Sequence, residues 1–354
     1  MLYQPAPEAG LAYPGLNKIM IISDAWEPQV NGVVRTLRTI TAEMRAMGKT
    51  VDIVGPDRFR TMPMPSYPEI KLALFPGRKL ARIIEAFQPD ALHVATEGPL
   101  GMAARAYAKR RGLHFTTAFH TRFAEYLEAR TRIPSALTYR WLRHFHQPGS
   151  GVMVATQSLR EELAGRGFKN LRPWSRGVDL EAFHPAPREA WDLPRPIFAY
   201  VGRVAVEKNL KAFLSLDLPG SKLIVGDGPQ RKALEAEFPD VHFAGARHGA
   251  ALAQAYAGAD VFVFPSKTDT FGLVVLEALA SGLAVAAYPV TGPKDILGEA
   301  PVPVGALDED LRKACLKALE IDRANCRPYA ERFSWRACAE RFLDNLVPMR
   351  ETAQ

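Results

Sequence analysis

Residues 261–289 read VFVFPSKTDTFGLVVLEALASGLAVAAYP, and this stretch sets the class of the fold. Val261 to Phe264 is a short β-rich run that ends at Pro265. Gly272 then opens a run with helical spacing, and Ala284 to Ala287 is β-rich again. A strand, a crossover helix and a second strand in direct succession form the unit of a parallel sheet. The same alternation extends in both directions. In the second half strands are expected at Ile197 to Val201, Lys222 to Val225 and Val241 to Ala244 as well. In the first half they are expected at Lys18 to Ile22, Val51 to Val54, Ala91 to Ala95, Phe115 to Phe119 and Val152 to Ala155, with helices in the gaps. The class is therefore α/β, with two doubly wound sheets that bind ligands at the carboxyl ends of their strands. Facing each other, they would make one deep cleft.

A chain of 354 residues exceeds the usual single core, which fits two domains. Arg172 to Pro196 carries Pro173, Pro185, Pro187, Pro194 and Pro196 with little periodicity, as a linker does. The division read from the sequence is a disordered tail at 1–17, a first domain at 18–174, a linker at 175–196 and a second domain at 197–333. The last segment, 334–354, has helical spacing in Trp335, Cys338, Phe342 and Leu346 and is expected to pack back across the lobes.

Cys315, Cys326 and Cys338 show no CxxC spacing, so a reducing compartment is expected. Only Glu8 is charged in the first seventeen residues, which lack the basic start of a signal peptide. The most apolar stretch, Ala278 to Val290, is too short to span a bilayer. The formal net charge is +7, and between Gly101 and Gln147 nine Lys or Arg stand against Glu125 and Glu128. Interleaved with Tyr139, Trp141 and Phe145, these cations suit either an anionic membrane surface or a solvated helix face. No signature of nucleic-acid binding is present.

Four motifs carry chemistry. VGRVAVEKNL places Arg203 just after a strand and Lys208 five residues on. Two fixed cations there can stabilise a departing diphosphate without a metal, although a helix-opening surface lysine would read the same. TDTFGLVVLEALASG sets Asp269 and Glu277 eight positions apart around Phe271, Gly272 and Leu273, whose backbone opens a helix where anions or hydroxyls can bind. The two carboxylates suit sugar hydroxyls and a ribose diol, or else a helix cap and a helix face. GDGPQRKAL lacks the third glycine of a dinucleotide fingerprint, Arg231 standing in its place, so Gly226 and Gly228 fit a tight turn, beside a nucleotide or alone. PQVNGVVRTL sets Asn31 and Gly32 between the first strand and the first helix, a place for close approach to phosphate or an ordinary turn. His120 follows a strand end, and His144 with His146 has no third ligand nearby, so no metal site is expected and the pair is assigned to the basic face.

In this order, Gly32, His120, Arg203, Lys208, Asp269 and Glu277 resemble the pattern of retaining glycosyltransferase family 4, from about Lys18 to the end of the chain. RGVDLEAFHP, from Arg176, is similar to that family's linker. The resemblance implies a GT-B fold of two Rossmann-like domains, an acceptor side in the first and a nucleotide-sugar site in the second. It implies that Arg203 and Lys208 neutralise the diphosphate and that Glu277 binds ribose. Asp269 with the backbone at Phe271 to Leu273 would hold the transferred sugar, Gly32 would approach the diphosphate, and His120 would contact the donor sugar. The family usually has Glu where this chain has Asp269, which bears on the identity of the sugar. Leaving-phosphate-assisted, same-face attack would need no protein nucleophile, metal or other cofactor.

HVATEGPLG, from His93, resembles a subgroup with glycolipid synthases and GDP-mannose-dependent mannosyltransferases; Glu97 there is an acceptor-side candidate or a cap for the helix opening at Pro99. The implied reaction moves a hexose from UDP-glucose, UDP-glucuronate or GDP-mannose to a membrane lipid, diacylglycerol first. The implied location is cytoplasmic, peripheral at the inner membrane face. A transferase for a soluble glycan or polysaccharide precursor, a sugar-nucleotide 2-epimerase and a non-catalytic nucleotide-sugar binder share the architecture.

Overall fold

The computed structural model describes residues 15–350 apart from 30, 65–66, 121–133, 188–190 and 270, so most of the expected tail and part of the basic segment lie outside the described residues. The described chain divides into two compact units, residues 15–175 with 335–350, and residues 176–334.

In the first unit β1 (Lys18–Ile22), β2 (Thr50–Val54), β5 (Ala91–Val94), β6 (Thr116–Phe119), β7 (Gly151–Val154) and β8 (Leu171–Pro173) form a sheet in the order β2-β1-β5-β6-β7-β8. Every pairing in it is parallel, with β1 running Lys18 against Thr50 through Ile22 against Val54. Ile19 to Ile22 are fully buried. A parallel strand covered by helices on both faces is apolar throughout, and this is why KIMII does not alternate. Between β2 and β5 lies an antiparallel hairpin, β3 (Thr61–Met64) and β4 (Tyr67–Ala73). Pro63, Pro65 and Pro68 break the strand signal of this hairpin in the sequence.

Helix Gly32–Ala46 buries Val34, Leu37, Ile40 and Met44, one face at helical spacing. Helix Trp335–Asn345 packs against it in the first unit. Trp174 Nε1 donates to the Cys338 carbonyl at 3.2 Å, Arg172 to the Asn345 carbonyl at 2.8 Å, and Asn345 Nδ2 to the Pro173 carbonyl at 2.7 Å. The buried Phe342 ring lies 4.9 Å from the His93 ring and 5.0 Å from that of Trp174. Beyond the helix, Met349 exchanges backbone hydrogen bonds with Asp90 and His114 and joins the core of this unit.

The second unit repeats the plan with β9 (Ile197–Val201), β10 (Ser221–Val225), β11 (His242–Gly245), β12 (Val261–Phe264), β13 (Ala284–Ala287) and β14 (Gly305–Leu307). Its order is β11-β10-β9-β12-β13-β14, again all parallel. Residues 176–196 belong to this unit. Val178 bridges to Ser334, and Arg327 donates to the carbonyls of Leu180, Phe183 and Ala280. All three cysteines are buried, and burial pushes the Cys315 and Cys326 thiols up to about 12.

Phe342→Ala is expected to lower stability by roughly 3–4 kcal/mol, the cost of emptying a fully buried ring site. Urea denaturation followed by tryptophan fluorescence checks this; a loss below about 1 kcal/mol would mean that the helix does not close this core.

Candidate active site

In each sheet the crossovers leave in opposite directions at one place, between β1 and β5 in the first unit and between β9 and β12 in the second. Loops at the carboxyl ends of such strands part there and leave a crevice. Arg203, Lys208 and Asp269 lie on the loops that follow β9 and β12, Asn31, Gly32 and Glu97 on those that follow β1 and β5, while His120 follows β6 and Gly226 and Gly228 follow β10, one strand away.

In the second unit the loop after β9 runs through Gly202 and Arg203 to a single turn at Val206–Lys208, and the loop after β12 runs from Pro265 to Asp269. They are tied together. Asn209, at φ 54°, turns its Nδ2 to the Pro265 carbonyl at 3.1 Å, and the Ser266 and Thr268 hydroxyls each lie 3.4 Å from the Glu207 carbonyl. Lys208 Nζ donates to both oxygens of Asp269, at 2.6 and 2.8 Å. Both side chains are about one-fifth exposed, which keeps the pair at the surface of the crevice and within reach of a ligand. Arg203 is exposed, and its carbonyl accepts from the buried Tyr200 hydroxyl at 2.9 Å. Burial, with Asp269 and Glu207 nearby, raises the Tyr200 phenol well above its ordinary pKa, so it remains a neutral donor beneath the loop.

The glycines of GDGP have a local cause. The Gly202 amide donates to the Val225 carbonyl at 3.0 Å and the Val204 amide to the Asp227 carbonyl at 2.9 Å, so the loops after β9 and β10 lie backbone against backbone. A Cβ on Gly226 would sit 1.8 Å from the Gly202 oxygen, and one on Gly228 2.3 Å from the Val204 oxygen. Both glycines also stand at positive φ. They brace the loop that carries Arg203 and Lys208.

Gly272, at φ 83°, opens helix Leu273–Ala280, with Phe271 buried behind it. Within that helix Glu277 is 3% exposed, and its Oε2 accepts from the Tyr256 hydroxyl at 2.8 Å. A carboxylate held so deep by a phenol has a fixed direction, and a surface helix residue would not be buried in this way.

The first unit holds the other candidates. Asn31 caps helix Gly32–Ala46, accepting from the amides of Val33 and Val34 at 3.0 Å each, with Gly32 exposed at the helix start. His120 follows β6, its ring 5.7 Å from that of Trp174 in edge-on contact. The helix at Pro99 is capped by Asp24 and not by Glu97. Asp24 accepts from the Leu100 and Gly101 amides at 2.8 and 3.2 Å and from the Thr96 hydroxyl at 3.0 Å. Burial raises its pKa against the pull of those hydrogen bonds. Gly98 follows from this seat, since a Cβ there would meet the Asp24 carboxyl carbon at 2.4 Å, whereas one on Gly101 would meet the Thr96 carbonyl oxygen at 1.8 Å.

Glu97 stands instead with Oε1 3.3 Å from Nε2 of His146, out of hydrogen-bond alignment, while His146 Nδ1 pairs with Thr117 Oγ1 at 2.9 Å. His146 is therefore a core residue, 1% exposed, and not part of a basic face. Tyr139 and Phe145 are buried as well, which leaves Trp141 alone of the three aromatics at the surface of helix Ser135–His146. Asp24 and Tyr256 escaped the sequence reading. The signal for Asp24 was its place two residues past the end of β1; Tyr256 offered none, because it reaches Glu277 from another helix. Among the described residues no group of His, Cys, Asp and Glu is arranged to hold a metal ion, and no helix is long and apolar enough to cross a membrane.

Comparison with known proteins agrees with this architecture. The model of Glycosyltransferase Family 4 matches residues 30–182, and that of Glycosyl transferases group 1 matches residues 195–320. A GDP-mannose-dependent alpha-mannosyltransferase of Mycolicibacterium smegmatis is 32% identical over 316 residues, 82% of this chain and 84% of that protein. An alpha-monoglucosyldiacylglycerol synthase of Streptococcus pneumoniae is 26% identical over 347 residues, 85% of this chain and 78% of that protein. Among solved structures, a lipopolysaccharide outer core galactosyltransferase matches in fold with a TM-score of 0.68 at 18% identity, covering 93% of this chain and 98% of that one. With both units matched, the chain belongs to glycosyltransferase family 4, a family of retaining, metal-independent hexosyltransferases with the GT-B fold.

Proposed function

We propose that this glycosyltransferase moves a hexose from a nucleotide diphosphate sugar to a membrane lipid, with GDP-mannose, UDP-glucose and UDP-glucuronate as candidate donors and diacylglycerol as the first acceptor to test. The observation that carries the donor side is the contact of Lys208 with Asp269 across the two loops at the β9–β12 crevice. Cation and carboxylate are thereby held where a diphosphate and its sugar need opposite partners.

As the glycosidic bond to the donor breaks, negative charge grows on the leaving phosphate oxygen. Lys208 and Arg203 are the cations that answer it, fixed beforehand by the braced loop, so little reorganisation is left for the reaction. Asp269 accepts hydrogen bonds from sugar hydroxyls once Lys208 turns part of its charge to phosphate. Glu277, oriented by Tyr256, holds the ribose diol, and the backbone at Phe271 to Leu273 supports the sugar. Retention then follows from attack on the same face, with the leaving phosphate receiving the acceptor's proton. In the first unit Glu97, after the carboxyl end of β5, serves the acceptor side.

The acceptor rests on relatives. The Streptococcus pneumoniae protein is named for a diacylglycerol product, the Mycolicibacterium protein for GDP-mannose. Incubation of the protein with each donor, with chelator present and with or without diacylglycerol vesicles, separates the readings. Nucleotide release only with lipid, together with a glycolipid of the expected mass, supports the proposal. Turnover of donor without acceptor would point to an epimerase, and release only with soluble glycans would move the acceptor.

Lys208→Ala and Arg203→Ala are each expected to lower kcat on the order of 100-fold with the fold intact, as loss of a positioned charge-stabilising group does. Steady-state nucleotide release checks this; unchanged turnover in both variants would remove these residues from the site. Tyr256→Phe, which frees the Glu277 carboxylate from its guide, is expected to raise KM for the donor several-fold with a smaller change in kcat.

A further inference from the structure

One surface of the first unit is not explained by the sheet, the core or the candidate site. Phe75 lies between the β3–β4 hairpin and helix Gly77–Phe87 with 96% of its area exposed. Its backbone is at φ 46°, a region that glycine or asparagine enters at lower cost than a bulky aromatic residue. Local conformation therefore gives no reason for a phenylalanine there, and neither does packing. Leu74 beside it and Met62 on the hairpin are 39% and 44% exposed, and the Leu74 amide joins the Arg60 carbonyl at 2.8 Å, which brings the three residues Met62, Leu74 and Phe75 to one end of the hairpin.

The charge around this apolar tip is predominantly positive. From Arg58 to Ile84 there are six cations, Arg58, Arg60, Lys71, Arg78, Lys79 and Arg82, and one acid, Glu69, a net +5 in a chain whose total is +7. Arg58 is spent on Asp52 and Lys79 on the Arg58 carbonyl and the Phe59 ring. Arg60, Lys71, Arg78 and Arg82 are exposed, with Arg78 and Arg82 one turn apart on the helix, opposite its buried residues Leu80 and Ile84. The next acid on that helix, Glu85, is paired with Arg111 at 2.6 Å. A partner complementary to this surface must offer anions at its face and an apolar layer just beneath. A bilayer with anionic lipids offers both at that spacing.

We infer, taking the lipid acceptor proposed above, that this surface seats the first unit on an anionic membrane, with Phe75 and Leu74 at the acyl boundary and Arg60, Arg78 and Arg82 among the headgroup phosphates. The assignment moves the membrane contact away from residues 101–147, where the exposed Leu137 and Trp141 of helix Ser135–His146 are accompanied by Arg140 and by Arg143, whose guanidinium donates to the Arg166 carbonyl at 3.0 Å.

The test is cosedimentation of the full chain with vesicles of phosphatidylcholine alone and of phosphatidylcholine with phosphatidylglycerol, at low and high salt. Binding is expected to the mixed vesicles only, weaker at high salt. Phe75→Ser should weaken it roughly tenfold, the effect of removing one inserted aromatic side chain. Arg78→Glu with Arg82→Glu should weaken it further and flatten the salt dependence. Trp141→Ser should bind as the unaltered protein does, and Phe75→Ser should keep its turnover on a short-chain, water-dispersed acceptor. Binding unchanged in the Phe75 and Arg78/Arg82 variants, loss in Trp141→Ser, or capture by RNA in place of vesicles would overturn the inference. Vesicle binding without any glycolipid product would leave this surface standing and refute the lipid acceptor; glycolipid product without vesicle binding would do the reverse.

Discussion

A parallel sheet releases every strand at the same edge, and its crossovers must return over one face or the other. Where the direction of return changes, two loops are left without a helix between them. In the second unit this happens between β9 and β12, and the residues freed there from packing are Arg203, Lys208 and Asp269. The contrast with their neighbours is sharp. Val201 and Phe264, at the strand ends, are buried, and a few residues later the chain carries charge at the surface of the crevice. The loops do not move independently, because Gly226 and Gly228 let the β10 loop lie against the β9 loop, backbone on backbone. A surface ion pair is ordinarily worth little. Here its value is positional, since two loops already fixed by other hydrogen bonds bring Lys208 and Asp269 together.

Most of the fold was legible because buried parallel strands are continuous apolar runs, and each of the ten runs read from the sequence is a strand in the structure. The missed strands have identifiable reasons. Prolines mask the β3–β4 hairpin, and β8 and β14, three residues each, are too short to show a period. At the candidate site, charged residues on loops could be singled out, since Lys208 and Asp269 stand just past buried apolar strands and have no packing role to hide them. Residues whose place depends on another side chain could not. Tyr256 is indistinguishable in sequence from a core tyrosine until Glu277 is found beside it, and Asp24 looks like any loop acid until the helix at Pro99 is seen to start on it. The helix Ser135–His146 misled for a related reason: Tyr139, Phe145 and His146 lie on its inner face, and a list of aromatic and basic residues does not tell faces apart.

The two units use their acids differently. Asp24 is consumed by structure, its oxygens taken up by two backbone amides and a hydroxyl, so it fixes where the helix at Pro99 begins and, by leaving no room for a Cβ at Gly98, restricts what sequence that turn can have. Glu277 is also buried, yet a phenol meets one of its oxygens and aims the carboxylate. Glu97 and Asp269 stand at the openings, partly exposed and facing a basic nitrogen. Burial, partner type and exposure thus distinguish these four carboxylates.

The closing helix, Trp335–Asn345, has a consequence for biosynthesis. It completes the core around Trp174 and His93, yet it follows the whole second unit in the order of synthesis. A ribosome making this chain releases β1 to β8 early and must then emit some 160 further residues, 176–334, before Phe342 and Met349 emerge. The first unit to be translated is in this way the last to be finished, with an apolar seam open throughout, and the second unit can reach its final form while the first is still waiting for its lid.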